Sequence, residues 1–295
     1  MAKHTSKRNN KFIVQNIFIA IVILVAIKFL NGVGIFNKSE DMKDKISIHF
    51  IDVGQADSIL IKDEKNAMLI DGGNNEDGDL VVNYLKSQGV KHLNYIIGTH
   101  GHEDHIGGLD NVIKSFTVDK IYMPKSTTTT KTFQDVVTAT KAKGLTFTEP
   151  KTGSEFTLGN MTFKILAPNS TNYESKNNES IVLKGTYGNT SFMFTGDAEE
   201  ISEKEILKQN YNLNADLLKV GHHGSDTSTS DEFLNAVNPK YAIISVGKNN
   251  NYGHPKEKII DKLKKRNIST YRTDEKGTII ATSDGTNIEF DFEKK

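Results

Sequence analysis

The sequence predicts an α/β domain that is preceded by one N-terminal transmembrane or signal helix. Two observations support the α/β class: short apolar strands alternate with amphipathic helices from residue 46 onward, and several strands end directly in Asp or His. A third observation supports the N-terminal helix, because residues 12–30 are almost entirely apolar.

The N-terminal segment divides into a basic stretch at residues 1–11, the apolar stretch at 12–30 and a polar linker at 31–45. Eleven uninterrupted apolar residues occupy 17–27, close to the lower limit for crossing a bilayer. We expect a single-pass signal anchor in the cell membrane, with the basic end inside and the domain at 46–293 outside. A cleaved signal peptide would instead secrete the domain, although no A-x-A-like site follows, and a buried core helix is the third alternative.

Composition narrows the classes of function. Cysteine is absent, which excludes disulfides and thiolate metal ligands and is compatible with export. Residues 1–30 carry five basic side chains and no acid, so the remaining chain has 32 basic against 37 acidic residues. The body is therefore not a basic nucleic-acid-binding domain by bulk charge, and any phosphate-polymer substrate would need a local binding patch.

Alternation and apolar runs predict the following elements in chain order. The strands are 46–52, 58–61, 67–70, 93–97, 120–123, 146–148, 155–158, 161–166, 180–184, 191–195, 215–220, 241–246, 270–272, 278–282 and 287–292. The helices are 79–88, 109–116, 132–143, 201–209, 230–237 and 256–265. Ser230 is a suitable helix N-cap, and Pro255 suits the first turn of the last helix.

The strongest local signal is a cluster of imidazoles and a carboxylate between a strand and a helix. His100, His102, Asp104 and His105 lie within six residues, directly after the strand at 93–97. A polar, His-rich loop without function is the plainer alternative. Imidazole and carboxylate together suit zinc, iron or manganese, so the cluster predicts a metal site.

Other metal-binding residue types follow the ends of other strands. Asp71, Asp197 and the pair His222 and His223 each occupy such a position, and His254 comes shortly after the next strand. An Asp-Gly-Gly sequence such as that at Asp71 is also common in plain turns. If these strand ends meet at one edge of the fold, two metal ions that share a carboxylate would account for the set.

These motifs resemble the metallo-β-lactamase fold superfamily, through the cluster at residues 100–105, Gly196-Asp197 and a later His. More narrowly, the chain looks like the nuclease-like module of bacterial competence DNA-uptake proteins of the ComEC type. That likeness rests on residues 50–57, 71–73, 178–183, 194–199, 218–225 and 252–255. The resemblance implies a four-layer αββα sandwich with the site at one edge of two sheets.

The resemblance also implies a ligand set for two divalent ions, either zinc or manganese. His100 and His102 would hold the first metal; Asp104, His105 and a late His would hold the second; Asp197 would bridge them. The late His is His222 or His223, and we prefer His222 because it stands nearer the strand end. Asp71 resembles the carboxylate that orients a ligand imidazole.

One departure from the superfamily pattern concerns the first metal. Where a His usually precedes Gly-Asp, this chain has Asn177-Asn178-Glu179-Ser180. The first metal would then have fewer protein ligands, and we expect it to bind weakly or to prefer manganese. Asn178 and Ser180 are assigned to the shell behind the ligands.

The expected reaction is hydrolysis of a phosphodiester outside the cytoplasmic membrane, and the resemblance implies DNA as the substrate. Asp104, His223 and His254 are the predicted catalytic residues, with His223 or His254 protonating the leaving oxygen. The alternatives are an envelope phosphodiester, a lactone or a β-lactam as substrate. A surface binding protein with an inactive site is the alternative from another class.

Overall fold

The computed structural model describes residues 45–125 and 128–294, which form two β-sheets with associated helices. The predicted tail at 1–11 and the anchor helix at 12–30 lie outside the described residues and stay predictions. In the part of the chain that is described, no helix has both the length and the apolar character needed to cross a membrane.

The first sheet combines antiparallel and parallel pairing. Its strands are β1 (Ile46–Phe50), β2 (Ile59–Lys62), β3 (Ala67–Ile70), β4 (His92–Ile97), β5 (Thr117–Tyr122), β6 (Phe147–Thr148), β14 (Ile279–Ser283) and β15 (Ile288–Phe292). Their order is β15-β14-β1-β2-β3-β4-β5-β6. Pairing is antiparallel from β15 to β3 and parallel from β3 to β6.

The second sheet has the same mixed character. Its strands are β7 (Glu155–Leu158), β8 (Met161–Ala167), β9 (Val182–Tyr187), β10 (Thr190–Phe194), β11 (Leu217–Lys219), β12 (Tyr241–Ile244) and β13 (Ser269–Arg272). The order is β13-β12-β11-β10-β9-β8-β7, with parallel pairing from β10 to β13. Parallel strands covered on both faces are mostly apolar, which is why β12 reads as a short continuous run and β11 does so apart from Lys219.

The helices follow the strands in chain order. They are α1 (Gly78–Ser87), α2 (Glu103–Ile106), α3 (Leu109–Ser115), α4 (Lys131–Ala142), α5 (Glu200–Lys208), α6 (Asp231–Val237), α7 (Glu257–Lys265) and α8 (Thr273–Lys276). Short 3-10 turns occur at Asn75–Asp77, Lys176–Glu179 and Gly221–Gly224. Ser230 caps α6 as predicted, because its Oγ accepts a hydrogen bond from the amide of Phe233 at 3.3 Å.

Three apolar cores lie between the layers and hold them together. The central core lies between the sheets, where the rings of Phe50 and Phe194 stack 6.5 Å apart. A second core joins the first sheet to α1, α3 and α4 around Leu85, and a third joins the second sheet to α5, α6 and α7 around Phe233. The predicted four-layer αββα sandwich is therefore confirmed.

The predicted elements are found within a few residues of their expected bounds, and the structure adds the short helices α2 and α8, which were not predicted. The segment after His102, predicted as loop, contains the short helix α2. Helix α7 begins at Glu257, two residues beyond Pro255, because the amide of Lys256 donates to the carbonyl of Gly224 and keeps the chain extended there.

Parallel strands of both sheets direct their carboxyl ends to one edge of the sandwich. Asp71 follows β3, His100 follows β4, Asp197 follows β10 and His223 follows β11. A ligand site in an α/β fold is expected at such an edge.

Candidate metal centre

Asp71 organises the first part of the centre. Its buried carboxylate accepts hydrogen bonds from the amide of Thr99 at 2.8 Å, the hydroxyl of Thr99 at 2.7 Å and Nδ1 of His105 at 2.7 Å. Because Nδ1 of His105 is bound to the carboxylate of Asp71, Nε2 is the ring nitrogen that faces the site and can bind a metal once it has lost its proton.

Nε2 of His105 faces the carboxylates of two other residues. It lies 3.2 Å from Oδ1 of Asp197 and 3.9 Å from Oδ2 of Asp104. Within the described residues, Nε2 of His105 and Oδ1 of Asp197 are buried and have no hydrogen-bond partner. Buried polar atoms are normally paired, so these two atoms indicate a missing partner.

His223 completes this group. Its Nδ1 donates to the carbonyl of Ser245 at 3.0 Å, and its Nε2 lies 3.3 Å from Oδ2 of Asp104 and 3.7 Å from Oδ2 of Asp197. Nε2 of His223 also lacks a hydrogen-bond partner in the described part of the chain. Asp104, His105, Asp197 and His223 each offer one ligand atom, and these atoms lie within 4.8 Å of one another. The donor set fits a divalent cation.

The charged side chains of this group shift one another's pKa values. Burial alone would lower the pKa of His105, but the carboxylates of Asp197, Asp71 and Asp104 raise it well above its usual value. Burial alone would raise the pKa of Asp197, but His105 and His223 hold it well below its usual value. The arrangement therefore stabilises positive charge between carboxylates, as a cation site must.

His100 and His102 form a second pair beside this group. Nε2 of His100 lies 2.9 Å from Nδ1 of His102, and the ring of His100 lies 4.2 Å from that of His105. Nδ1 of His100 is 3.3 Å from the hydroxyl of Ser180, and burial lowers the pKa of His100 well below its usual value. The buried, neutral ring of His100 and the exposed ring of His102 bring two nitrogens together, which suits a second ion.

His222 is nearer the surface than His223. Its Nε2 lies 3.7 Å from the same Oδ2 of Asp197, while its Nδ1 is 3.2 Å from the hydroxyl of Thr227 and 3.6 Å from Oε1 of Glu199. Both His222 and His223 have left-handed backbone conformations, with φ of 49° and 52°. Such a conformation costs of order 1–3 kcal/mol for a non-glycine residue and is typical of functional sites.

The two asparagines have different surroundings. Oδ1 of Asn178 accepts hydrogen bonds from the amides of Glu199 and Ser202, both at 3.2 Å, and its Nδ2 donates to Glu199. Asn177 also donates to Glu199, but its Oδ1 is buried without a partner among the described residues and Asn177 lines the cavity above the centre. Asn178 thus supports the loop, whereas Asn177 faces the site.

A buried ion pair beneath His223 was not identified from the sequence. Nζ of Lys219 lies 2.8 Å from Oδ2 of Asp57, both side chains are at most 1% exposed, and Oδ1 of Asp57 is 3.5 Å from Nδ1 of His223. The amide of Asp57 also donates to the carbonyl of Asp104 at 3.0 Å. The available signal was a lone Lys in the apolar run of β11.

The centre opens into a cavity of about 780 Å³. His254 lies on its wall, and burial together with His222 and His223 lowers the pKa of His254 to about 4. The ring is therefore neutral at pH 7, with Nδ1 buried and unpartnered by any described residue. Tyr252 stacks on His254 with ring centroids 5.8 Å apart.

Comparison with known protein sequences agrees with a metal-binding site of this geometry. Residues 51–248 match the family model described as the Metallo-beta-lactamase superfamily. The chain is 35% identical over 250 residues to ComE operon protein 3 of Bacillus subtilis (strain 168), covering 79% of this chain and 32% of that protein. It is 27% identical over 256 residues to Competence protein ComA of Neisseria gonorrhoeae, covering 86% and 35%. The resemblance to the competence module is confirmed, and the chain spans roughly a third of these relatives.

Solved structures support the fold. The metallo-beta-lactamase fold protein YhfI from Bacillus subtilis has a TM-score of 0.53 at 13% identity, covering 77% of this chain and 95% of that chain. Igni18, a metallo hydrolase from Ignicoccus hospitalis KIN4/I, has a TM-score of 0.51 at 14% identity, covering 80% and 98%. At these identities the likeness concerns the fold alone.

Proposed function

The chain belongs to the metallo-beta-lactamase superfamily and is a metal-dependent hydrolase of the competence-protein type; from this premise we propose that it is a binuclear-metal phosphodiesterase that cleaves DNA outside the cytoplasmic membrane. The observation that carries the proposal is the set of unpartnered ligand atoms around Asp197. A single buried carboxylate between two groups of imidazoles suits a pair of ions that share it.

The second ion would be held by Asp104, His105, Asp197 and His223, and the first by His100, His102 and Asp197. His223 takes the place for which we preferred His222, because its Nε2 faces both Asp104 and Asp197. When bound, two divalent ions would supply Lewis acidity that offsets the charge developing on a phosphoryl group and makes water more acidic.

The remaining polar side chains have roles around that chemistry. His222 and His254 line the cavity and would donate N–H hydrogen bonds to a phosphate oxygen or to the leaving oxygen. Because the pKa of His254 is about 4, this ring would hydrogen-bond to the leaving group rather than carry a proton to it. Asp71 would fix the orientation of His105.

Two lines of support favour DNA and an external location. The relatives include Competence protein ComA of Neisseria gonorrhoeae and Recombination protein 2 of Haemophilus influenzae, which is 29% identical to this chain over 218 residues. The sequence of residues 1–30 has the charge and apolar pattern of a signal anchor. Protease added to intact cells would then remove the domain and spare the N-terminus; a protected domain would contradict export.

The substrate test compares reaction classes on one preparation of the full chain. Bis(p-nitrophenyl) phosphate, a single-stranded oligonucleotide, a lactone and a β-lactam are offered with Mn²⁺ and Zn²⁺ in parallel. We expect turnover of the phosphodiesters and loss of both turnover and bound metal in Asp197→Ala, because this carboxylate would contact both ions. The surface variant Asp261→Ala is the control. Lactone or β-lactam turnover alone would replace the proposal, and metal-free, inactive protein would indicate a binding protein.

A further inference from the structure

The cavity above the metal centre has an unusual lining for a site that would act on a polyanion. Among the described residues, its wall contains six carboxylates and four imidazoles but no Lys or Arg. A protein that grips a nucleic-acid backbone needs cationic side chains along the path of the phosphates. Beyond the phosphate at the metal centre, a nucleic-acid backbone would therefore meet no cationic side chain along this wall.

Three carboxylates line one part of this cavity, which we call the rim, and have no cationic partner among the described residues. Glu76, Asp77 and Glu103 form no ion pair with any described residue. Asp77 accepts a hydrogen bond from the amide of Asn74 and Glu103 one from the amide of Asn75, both at 2.8 Å, so these two carboxylates are fixed in place. A second phosphate next to the one that reacts would meet this negative rim and be repelled.

Exposed apolar side chains also line this cavity. In the described part of the chain, three large apolar side chains are strongly exposed, and two of them, Leu80 at 45% and Tyr252 at 65%, line this cavity. The third, Ile201, does not. Single exposed apolar residues need no explanation, but two at the mouth of one cavity indicate an apolar or aromatic portion of the ligand.

Tyr252 is connected to the metal centre through a series of rings. Its ring stacks on His254 at an interplanar angle of 26°, and His254 meets His222 edge-on with centroids 5.6 Å apart. The loop is held by Asn250, whose Oδ1 accepts hydrogen bonds from the amides of Tyr252 and His254. A flat, fixed aromatic surface thus lies beside the reacting position.

From these observations we infer that the substrate is recognised by a nucleobase adjoining the scissile phosphodiester, stacked on Tyr252 and bordered by Leu80, rather than by its backbone phosphates. This inference rests on the proposed phosphodiesterase function. It predicts that the enzyme acts on substrates with unstacked bases, namely single strands, strand ends and dinucleotides, because a base within a duplex has no free face.

The test compares two esters with the same leaving group. Thymidine 5′-(p-nitrophenyl phosphate) carries a base, and methyl p-nitrophenyl phosphate does not. We expect the full chain with Mn²⁺ to prefer the thymidine ester, and Tyr252→Leu to reduce this preference in kcat/KM by about 5- to 100-fold, mainly through KM. Tyr252→Phe should keep the preference. Leu80→Ala should reduce it, whereas the matched control Ile201→Ala should not.

A second arm uses oligonucleotides. We expect a single strand to be cleaved faster than its duplex, with a loss of less than about tenfold in kcat/KM between 50 and 200 mM salt, against 10³–10⁵ for a site with 6–10 phosphate contacts. Preference for the duplex with a steep salt dependence would overturn the inference.

The possible failures can be told apart. If neither ester is hydrolysed, the phosphodiesterase proposal itself fails. If both are hydrolysed equally, or if Tyr252→Leu affects both alike, only base recognition fails. A preference for p-nitrophenyl phosphocholine over the thymidine ester would also overturn it, because the acidic rim would then be selecting a cationic substituent.

Discussion

Nδ1 of His105 lies 2.7 Å from Oδ2 of Asp71, and both side chains are completely buried. This contact joins the end of β3 to the His cluster after β4 and leaves Nε2 of His105 directed at Asp197. The same carboxylate is bound by Thr99, so its position does not depend on His105 alone. Asp71 therefore fixes the orientation of His105, the residue that we propose as a ligand of the second metal.

Asp71→Asn should weaken binding of the second metal roughly 10- to 100-fold, because the amide is a poorer acceptor and no longer favours the Nδ1–H form of His105. Metal titration of the apo-protein by calorimetry measures this. Asp119→Asn is a matched control, since Asp119 makes a similar 2.8 Å contact with His92 at the surface. Equal affinity in the Asp71 variant and the wild type would remove Asp71 from the site.

Metal binding should release a proton from His105 around neutral pH. Since the neighbouring carboxylates raise the pKa of His105 in the metal-free protein, the ring is protonated at pH 7, and a cation must displace that proton. Apparent affinity should then rise with pH until the raised pKa is passed. Calorimetry in buffers of different ionisation enthalpy counts the protons. No proton release at pH 7, or affinity that falls as pH rises, would contradict this assignment.

The neighbouring histidines should behave differently when each is removed. His223→Ala should lower the occupancy of the tightly bound metal, since His223 faces both Asp104 and Asp197. His222→Ala should keep that metal and instead reduce kcat, because its more exposed ring would contact the substrate phosphate. Elemental analysis beside steady-state kinetics separates the two. The reverse pattern would restore the ligand assignment that we preferred from sequence.

The sequence was informative where a local pattern decides the structure. An apolar run predicted β3 and an alternating pattern predicted β7, both with the bounds that the structure has. The polar residues after the strands predicted which loops would meet. The apolar periodicity is a short-range property that tertiary contacts reinforced here rather than overrode.

What the sequence could not provide depends on contacts between distant segments. The pairing of Asp57 with Lys219 requires the loop after β1 to meet the end of β11 in the other sheet. The choice between His222 and His223 depends on two consecutive left-handed residues, which no periodicity reports. The rim formed by Leu80 and Tyr252 likewise arises only from the folded arrangement.

Lys219→Met should be strongly destabilising, by about 3–5 kcal/mol in the free energy of unfolding, because it leaves the Asp57 carboxylate buried and uncompensated. Adding Asp57→Asn should recover part of that loss, since the uncompensated charge is then removed. Urea denaturation with a chelator present measures both variants without the contribution of metal. Additive losses in the double variant would mean that the pair is not coupled.

The last prediction concerns Asn177, whose Oδ1 is buried, faces the cavity and has no partner among the described residues. With His100, His102 and the shared Asp197 as its ligands, the first metal should bind more weakly than the second, and manganese should serve there as well as zinc. Asn177→His should tighten the first site and shift it toward zinc, while slowing turnover by occupying space that the substrate needs.

Asn178→His provides the matched comparison, because Asn178 is fully engaged with Glu199 and Ser202. This change should lower thermal stability without tightening either metal, since the new ring cannot replace those hydrogen bonds. Calorimetric titration of the three apo-proteins resolves the two sites. If the wild type instead shows two equally tight sites that Asn177→His leaves unchanged, the first metal already has its third imidazole. His222, 3.7 Å from Oδ2 of Asp197, would then be that ligand.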